Sequence, residues 1–146
     1  MQKAIYFDMD GTIANLYAVE NWLPKLRAYD PTPYAEAAPM VHLSTLARVL
    51  HRLQANGYHI GIVSWLSKDP DPTYGEAVTE AKVAWLTKHL PSVIWDEVKI
   101  IPYGIPKSSA VQFPMGVLFD DEAPNRHEWQ GEAFDVDAII KTLCSL

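Results

Sequence analysis

The chain is poor in several things, and each shortage excludes something. A single cysteine, Cys144, stands among 146 residues, so no internal disulfide forms and a reducing compartment is expected. Cys144 falls in the apolar pattern at the C-terminal end, which favours packing over reactivity. No apolar run approaches the ~20 residues that a membrane span needs. The apolar stretch ending at Phe7 is too short for a secretory signal and lacks a cleavage site, so a cytoplasmic location without a membrane partner is expected. Basic residues are scarce: 12 Lys and Arg against 18 Asp and Glu give a net charge of −6. A nucleic acid held by bulk attraction is therefore not expected as a partner, whereas a small phosphorylated ligand needs only a local cation. The five histidines, His42, His51, His59, His89 and His127, lack ligand spacing and are assigned to surface or packing roles. Repeats and low-complexity tracts are absent.

What is present is apolar material in short runs. With 49% hydrophobic residues the chain has enough for one domain over residues 1–146 with a substantial core. The stretch Ala4-Ile5-Tyr6-Phe7-Asp8-Met9-Asp10-Gly11-Thr12 organises the rest. Ile5 to Phe7 read as a strand buried on both faces, because apolar residues follow one another without alternation. Two carboxylates, a glycine and a hydroxyl then stand at its carboxyl end, the edge where open parallel sheets bind ligands.

The same logic recurs along the chain. After a Pro- and aromatic-rich segment, Leu43, Leu46, Ala47, Leu50 and Leu53 mark one helical face, stopped by Asn56-Gly57. Tyr58 to Ser64 is a second apolar strand ending in a hydroxyl. A strand, a helix and a parallel strand need only about 30 residues. The longer path from Asp8 to Ser64 leaves room for a small cap inserted at about 14–40, with a short helix over Ala18 to Leu26 broken by Asp30-Pro31-Thr32-Pro33. Ser67 to Pro72 reads as a loop, and Thr73-Tyr74-Gly75-Glu76 as the capping box of a helix that ends at His89-Leu90-Pro91. Val98 to Ile101 is a third strand, followed by a turn and Lys107. Gly116 to Asp121 delivers Asp120 and Asp121 at another strand end. Ala133 to Val136 and a helix over Ala138 to Leu143, with Asp135 or Asp137 near its cap, close the chain. Alternating strands and helices imply an α/β fold with a parallel sheet between helices.

Asp8, Asp10, Ser64, Lys107, Asp120 and Asp121 each follow an apolar run or the turn after one, so a parallel sheet would gather them along one edge. Crowded carboxylates repel unless a cation sits among them, and hard oxygen ligands favour Mg²⁺. Lys68, Lys82 and Lys99 compete with Lys107 for the place of the basic group. Ser64 has a rival reading as a plain strand end, and Asp120-Asp121 as a helix cap.

The chain resembles the haloacid dehalogenase-like hydrolase superfamily. Its first motif is similar to Asp8-Met9-Asp10-Gly11-Thr12, its second to the strand-terminal Ser64, its third to Lys107 and its fourth to Asp120-Asp121. The resemblance implies a Rossmann-like three-layer sheet, Mg²⁺ and a phosphoaspartate intermediate. It makes Asp8 the nucleophile, Asp10 the general acid and base, and Ser64 and Lys107 the phosphoryl-binding groups. It makes Asp8, Asp10 (through its main-chain carbonyl), Asp120 and Asp121 the metal-binding set. Dehalogenases of the superfamily lack an acid at the position of Asp10, and its ion pumps carry membrane helices, so the resemblance implies phosphate ester hydrolysis. The inserted segment resembles the small caps of 5′-(3′)-deoxyribonucleotidases, but Glu122 stands where those enzymes usually have arginine, which leaves the subgroup open. Tyr17, Trp22, Tyr29, Tyr34 and Trp65 suit either stacking on the base of a nucleoside monophosphate or the cap's own core. A catalytically idle member binding a phosphorylated metabolite or a protein, and a phosphatase of nucleic-acid ends, are the alternatives.

Overall fold

A computed structural model describes residues 1–68 and 71–146. Five parallel strands form one sheet: β1 (Ala4–Phe7), β4 (His59–Trp65), β5 (Glu97–Ile101), β6 (Val117–Phe119) and β7 (Ala133–Phe134), in the order β5-β4-β1-β6-β7. The central strand β1 is buried at all four residues, which is why its sequence shows no alternation. Its two faces feed two cores. Ile5 and Phe7 pack with Ile60, Ile62 and Phe119 against Leu46, Leu50, Trp85 and Leu143. Ala4 and Tyr6 pack with Val63 and Leu118 against Trp129, flanked by Val111 and Phe113. Truncating Phe7 would cost about 3–5 kcal/mol at such a site. The architecture is the expected α/β, Rossmann-like one.

Helix α3 (Leu43–Ala55) buries Leu46, Leu50 and Leu53; His42 caps its start and Asn56 its end, with Gly57 at φ +89°. Helix α4 (Pro72–His89) is the longest. Its cap differs from the expected capping box: the Asp71 side chain accepts from Thr73 N, so the helix begins before Thr73, with Pro72 in its first turn. Proline tolerates that position because the missing N–H has no helical partner there. The expected loop from Ser67 to Pro72 includes Asp69 and Pro70, which lie outside the described residues.

Between β1 and α3, a two-residue antiparallel ribbon, β2 (Ala14–Asn15) with β3 (Ala38–Pro39), ties the ends of an inserted segment. A 3₁₀ turn (Leu16–Ala18), α1 (Trp22–Arg27) and α2 (Thr32–Glu36) lie between them. The helix expected over Ala18 to Leu26 starts instead at Trp22, because Asn21 adopts a left-handed backbone at φ +59° that a helix cannot continue. The insert is fastened to α4: Leu16 and Tyr34 pack with Tyr74 and Val78, and Trp85 Nε1 donates to Ala37 O at 2.7 Å.

Two short helices, α5 (Lys107–Ala110) and α6 (Ala123–Glu128), follow β5 and β6, and α7 (Ile139–Cys144) closes the chain after a 3₁₀ turn that Asp135 caps. Cys144 departs from expectation: Ile139 and Leu143 form the buried stripe of α7, and Cys144, one position on, turns to solvent. Among the described residues, no helix is long and apolar enough to cross a membrane.

Candidate active site

Strand register sets the site. Phe7 pairs with both Ile62 and Phe119, so Asp8 and Asp120 leave adjacent strands at the same level. Ser64 stands two residues past Ile62, next to last in β4 rather than at its end. After Asp8 the chain folds tightly, with Thr12, Ile13 and Ala14 N–H all directed at Met9 O. Gly11 makes this turn possible: its φ is +80°, and a Cβ there would lie 2.5 Å from Asp121 Oδ2 and 2.8 Å from the Tyr17 ring.

The gathered side chains divide around two buried ammonium groups. Lys107, at the first turn of α5 and 2% exposed, donates to Asp8 Oδ1 at 3.0 Å and to Asp120 Oδ2 at 2.6 Å. Burial works against its charge, but Asp8 and Asp120 override this and hold its pKa above the ordinary lysine value. Asp120 is fully buried and also accepts from Asn125 Nδ2 at 3.2 Å and Glu122 N at 2.9 Å. Thr12 Oγ1 lies 3.2 Å from both Asp8 Oδ2 and Asp121 Oδ1. Each of Asp8, Asp120 and Asp121 offers a carboxylate oxygen within 4.8 Å of the others. Burial, then the Asp8 charge, push Asp120 up to about 6 and Asp121 up to about 7.

The second ammonium is Lys82, on α4 and 1% exposed. It donates to Ser64 Oγ at 2.8 Å and Trp65 O at 2.7 Å, and pairs with Asp10 Oδ2 at 2.8 Å. Burial raises the pKa of Asp10 and Asp8 adds to this, while Lys82 pulls it back. Asp10 is thus brought near Asp8, but its carboxylate faces Lys82 rather than the three-acid group.

Among the lysines weighed from sequence, Lys107 reaches Asp8, Lys82 reaches Ser64 and Asp10, Lys99 lies exposed on β5, and Lys68 stands over the Tyr103 ring. Sequence reasoning missed the roles of Lys82 and Asn125. For Lys82 the signal was present: it lies on the buried stripe of α4 with Tyr74, Val78, Trp85 and Leu86.

Asp8, Asp10, Ser64, Lys107 and Asp121 line a cavity of about 580 Å³ between the sheet edge and the insert, inside the range of about 300–1,000 Å³ that suits a small organic ligand. Its walls include Tyr17, Trp22, Tyr34, Trp65 and Tyr103, with Arg27 and Lys68. Tyr34 is also part of the insert's own core. Tyr29 packs on Tyr74 instead, with ring centroids 5.5 Å apart.

No family model matches the sequence, and no curated protein matches it. Among solved structures, the fold is similar to that of D,D-heptose 1,7-bisphosphate phosphatase from B. bronchiseptica, complexed with magnesium and phosphate. The TM-score is 0.59 at 11% identity, covering 99% of each chain. At that identity the likeness is one of fold.

Proposed function

We propose that the chain is a Mg²⁺-dependent phosphatase of the haloacid dehalogenase-like superfamily that hydrolyses a small phosphate monoester through a phosphoaspartate on Asp8. One observation carries the reading: Lys107 bridges Asp8 and Asp120 beside Asp121, at the floor of a ligand-sized cavity. Three mutually close carboxylates against one ammonium fit a hard divalent cation, since buried like charges otherwise drive each other toward protonation. Asp8, Asp120, Asp121 and the main-chain carbonyl of Asp10 would hold it. When bound, it would neutralise phosphoryl oxygens and the acids that hold it.

In the first step an Asp8 carboxylate oxygen attacks phosphorus. The ester P–O bond breaks, and its electron pair leaves with the alcohol oxygen, which takes a proton from Asp10. Ser64 and Lys107 hydrogen-bond the phosphoryl oxygens, and Lys107 also restrains Asp8. In the second step Asp10 takes a proton from water as the water attacks phosphorus. The Asp8 acyl-phosphate bond then breaks, releasing inorganic phosphate and restoring Asp8.

For the substrate we favour a nucleoside monophosphate, from which the nucleoside would leave: Tyr17, Trp22 and Trp65 on the cavity wall offer faces for a base. The single cysteine fits a cytoplasmic setting. The test is a panel of phosphate monoesters, nucleotides and a chromogenic ester among them, with Mg²⁺ or chelator, alongside Asp8→Asn. Turnover is expected with Mg²⁺ alone, falling on the order of 10⁴-fold or more in Asp8→Asn. Undiminished turnover in Asp8→Asn would remove the covalent mechanism. A wild type inert toward every ester would favour a binding role instead.

A further inference from the structure

For the proposed chemistry both the Asp10 carboxyl and the Ser64 hydroxyl must be aimed at the reacting group. We propose that Lys82 is the positioning residue that orients both, an inference that rests on the phosphatase reading. Lys82 stands on α4, the helix that follows the Ser64 strand, at a position whose companions Tyr74, Val78, Trp85 and Leu86 are the buried face of that helix. An ammonium at 1% exposure persists as a charge only when its donors are met. Here the three N–H directions are matched by three acceptors: Ser64 Oγ, Trp65 O and Asp10 Oδ2, all within 2.8 Å. These contacts leave no N–H for a substrate, so Lys82 acts through other residues.

Each contact has a directional consequence. An ammonium has no lone pair, so Ser64 Oγ can only accept from it, and the serine's own proton must point elsewhere. Ser64 lines the cavity, and that proton is then the one a phosphoryl oxygen would accept. Asp10 has Oδ2 committed to Lys82, which leaves Oδ1 as the oxygen for proton transfer. The Trp65 carbonyl anchors the ammonium to the strand that carries Ser64, so one cation fixes groups from β4 and from the turn after β1. The Nζ also lies 5.2 Å from the centre of the Tyr34 ring, so the insert closes over the same atom.

The test compares Lys82→Met and Lys82→Arg with wild type, on whichever phosphate ester the wild type turns over best, with Mg²⁺ present. Lys82→Met is expected to lower kcat about 100-fold, the scale of a misplaced catalytic group, with KM changed less than about threefold. Lys82→Arg, which keeps the charge and donors, is expected to recover part of kcat. A double-mutant cycle supplies the readout that a merely structural role would not move. Ser64→Ala should cost far less in the Lys82→Met background than in wild type, because the serine hydroxyl has already lost its aim. Near-ultraviolet circular dichroism and the thermal midpoint establish the folded fraction. If Lys82→Met does not fold, Lys82→Gln and Lys82→Arg carry the same kcat-against-KM split. A folded variant with wild-type kcat, or full additivity with Ser64→Ala, would overturn the inference while leaving the phosphatase reading intact. A wild type inert toward every ester would remove both together.

Discussion

The floor of the cavity has two halves, each built on one buried lysine, and they differ in charge balance. Around Lys107 stand three carboxylates, Asp8, Asp120 and Asp121, of which two touch the ammonium. Around Lys82 stand one carboxylate, one hydroxyl and one carbonyl. The second half is electrically complete, with a single cation facing a single anion. The first sets three carboxylates against one ammonium, with Asp8 and Asp120 buried, and burial and then the Asp8 charge raise the pKa values of Asp120 and Asp121. A buried cluster of this kind holds its charge poorly without a further cation. The contrast separates a half poised to recruit a divalent ion from a half that holds its geometry unaided.

The largest expected effect comes from removing the lysine of the anionic half alone, set against removing the whole ion pair of the other half. Lys107→Met leaves three acids uncompensated and should cost about 3–5 kcal/mol of stability near neutral pH with chelator present, the scale for breaking a buried pair. For a chain of this size that is roughly 10 °C in the thermal midpoint. Removing both members of the other pair, in Lys82→Met with Asp10→Asn, should shift the midpoint far less, because no charge is left stranded. Differential scanning calorimetry decides between them; equal losses would abolish the distinction between the halves.

A smaller effect follows from the acids themselves. Asp120 and Asp121 titrate at about 6 and about 7 in the fold, above the ordinary carboxylate value, because burial and then Asp8 disfavour their charged forms. Between the unfolded and folded pKa values the native state binds more protons than the unfolded chain, so stability must fall as pH rises through about 4 to 7. Burial of Asp10 acts in the same direction. His89, held below its usual value by burial and then by Lys88, acts in the opposite direction. The diagnostic is therefore the difference between wild type and Asp121→Asn. With chelator, the wild-type midpoint should drop several degrees from pH 5 to pH 8 and the variant should drop less. Adding Mg²⁺ at pH 8 should restore the wild type preferentially, since a ligand that binds only the folded state stabilises it. A midpoint that rises with pH in chelator, and is indifferent to Mg²⁺, would contradict an ion-recruiting half.

The two halves were unequally legible in the sequence. The Lys107 half could be read because its acids follow apolar strands: Ile5 to Phe7 and Val117 to Phe119 announce themselves as runs without alternation, and a parallel sheet must align their ends. Ser64 followed from the same rule. Lys82 did not, because a residue in mid-helix meets the sheet edge through packing angle, which spacing does not encode. Its apolar neighbours Val78 and Trp85, four before and three after, were the available clue. Cys144 failed for a related reason: adjacent residues on a helix point about 100° apart, so a place in an apolar stretch does not settle which side faces the core. Helices α5 and α6, of four and six residues, are too short to show periodicity at all.

The finest test lies within the anionic half, at Thr12. Its hydroxyl sits 3.2 Å from an oxygen of Asp8 and 3.2 Å from an oxygen of Asp121, while accepting from Asp121 N at the same distance. One proton serves two carboxylates, so Thr12 ties them together without adding charge. Thr12 is fully buried, and Thr12→Val keeps the branched shape while removing the hydroxyl. Losing a hydrogen bond to a charged group costs about 1.5–3 kcal/mol at most, and solvation by ligand or water would recover part of it. The Mg²⁺ concentration for half-maximal turnover should therefore rise about 3- to 10-fold, with a midpoint loss of only a few degrees in chelator. The same substitution should leave the coupling between Lys82 and Ser64 untouched, because the Thr12 hydroxyl bonds to Asp8 and Asp121 and not to that pair. A cycle of Thr12→Val with Lys82→Met that departs from additivity would mean that the two halves act as one network rather than as two neighbours.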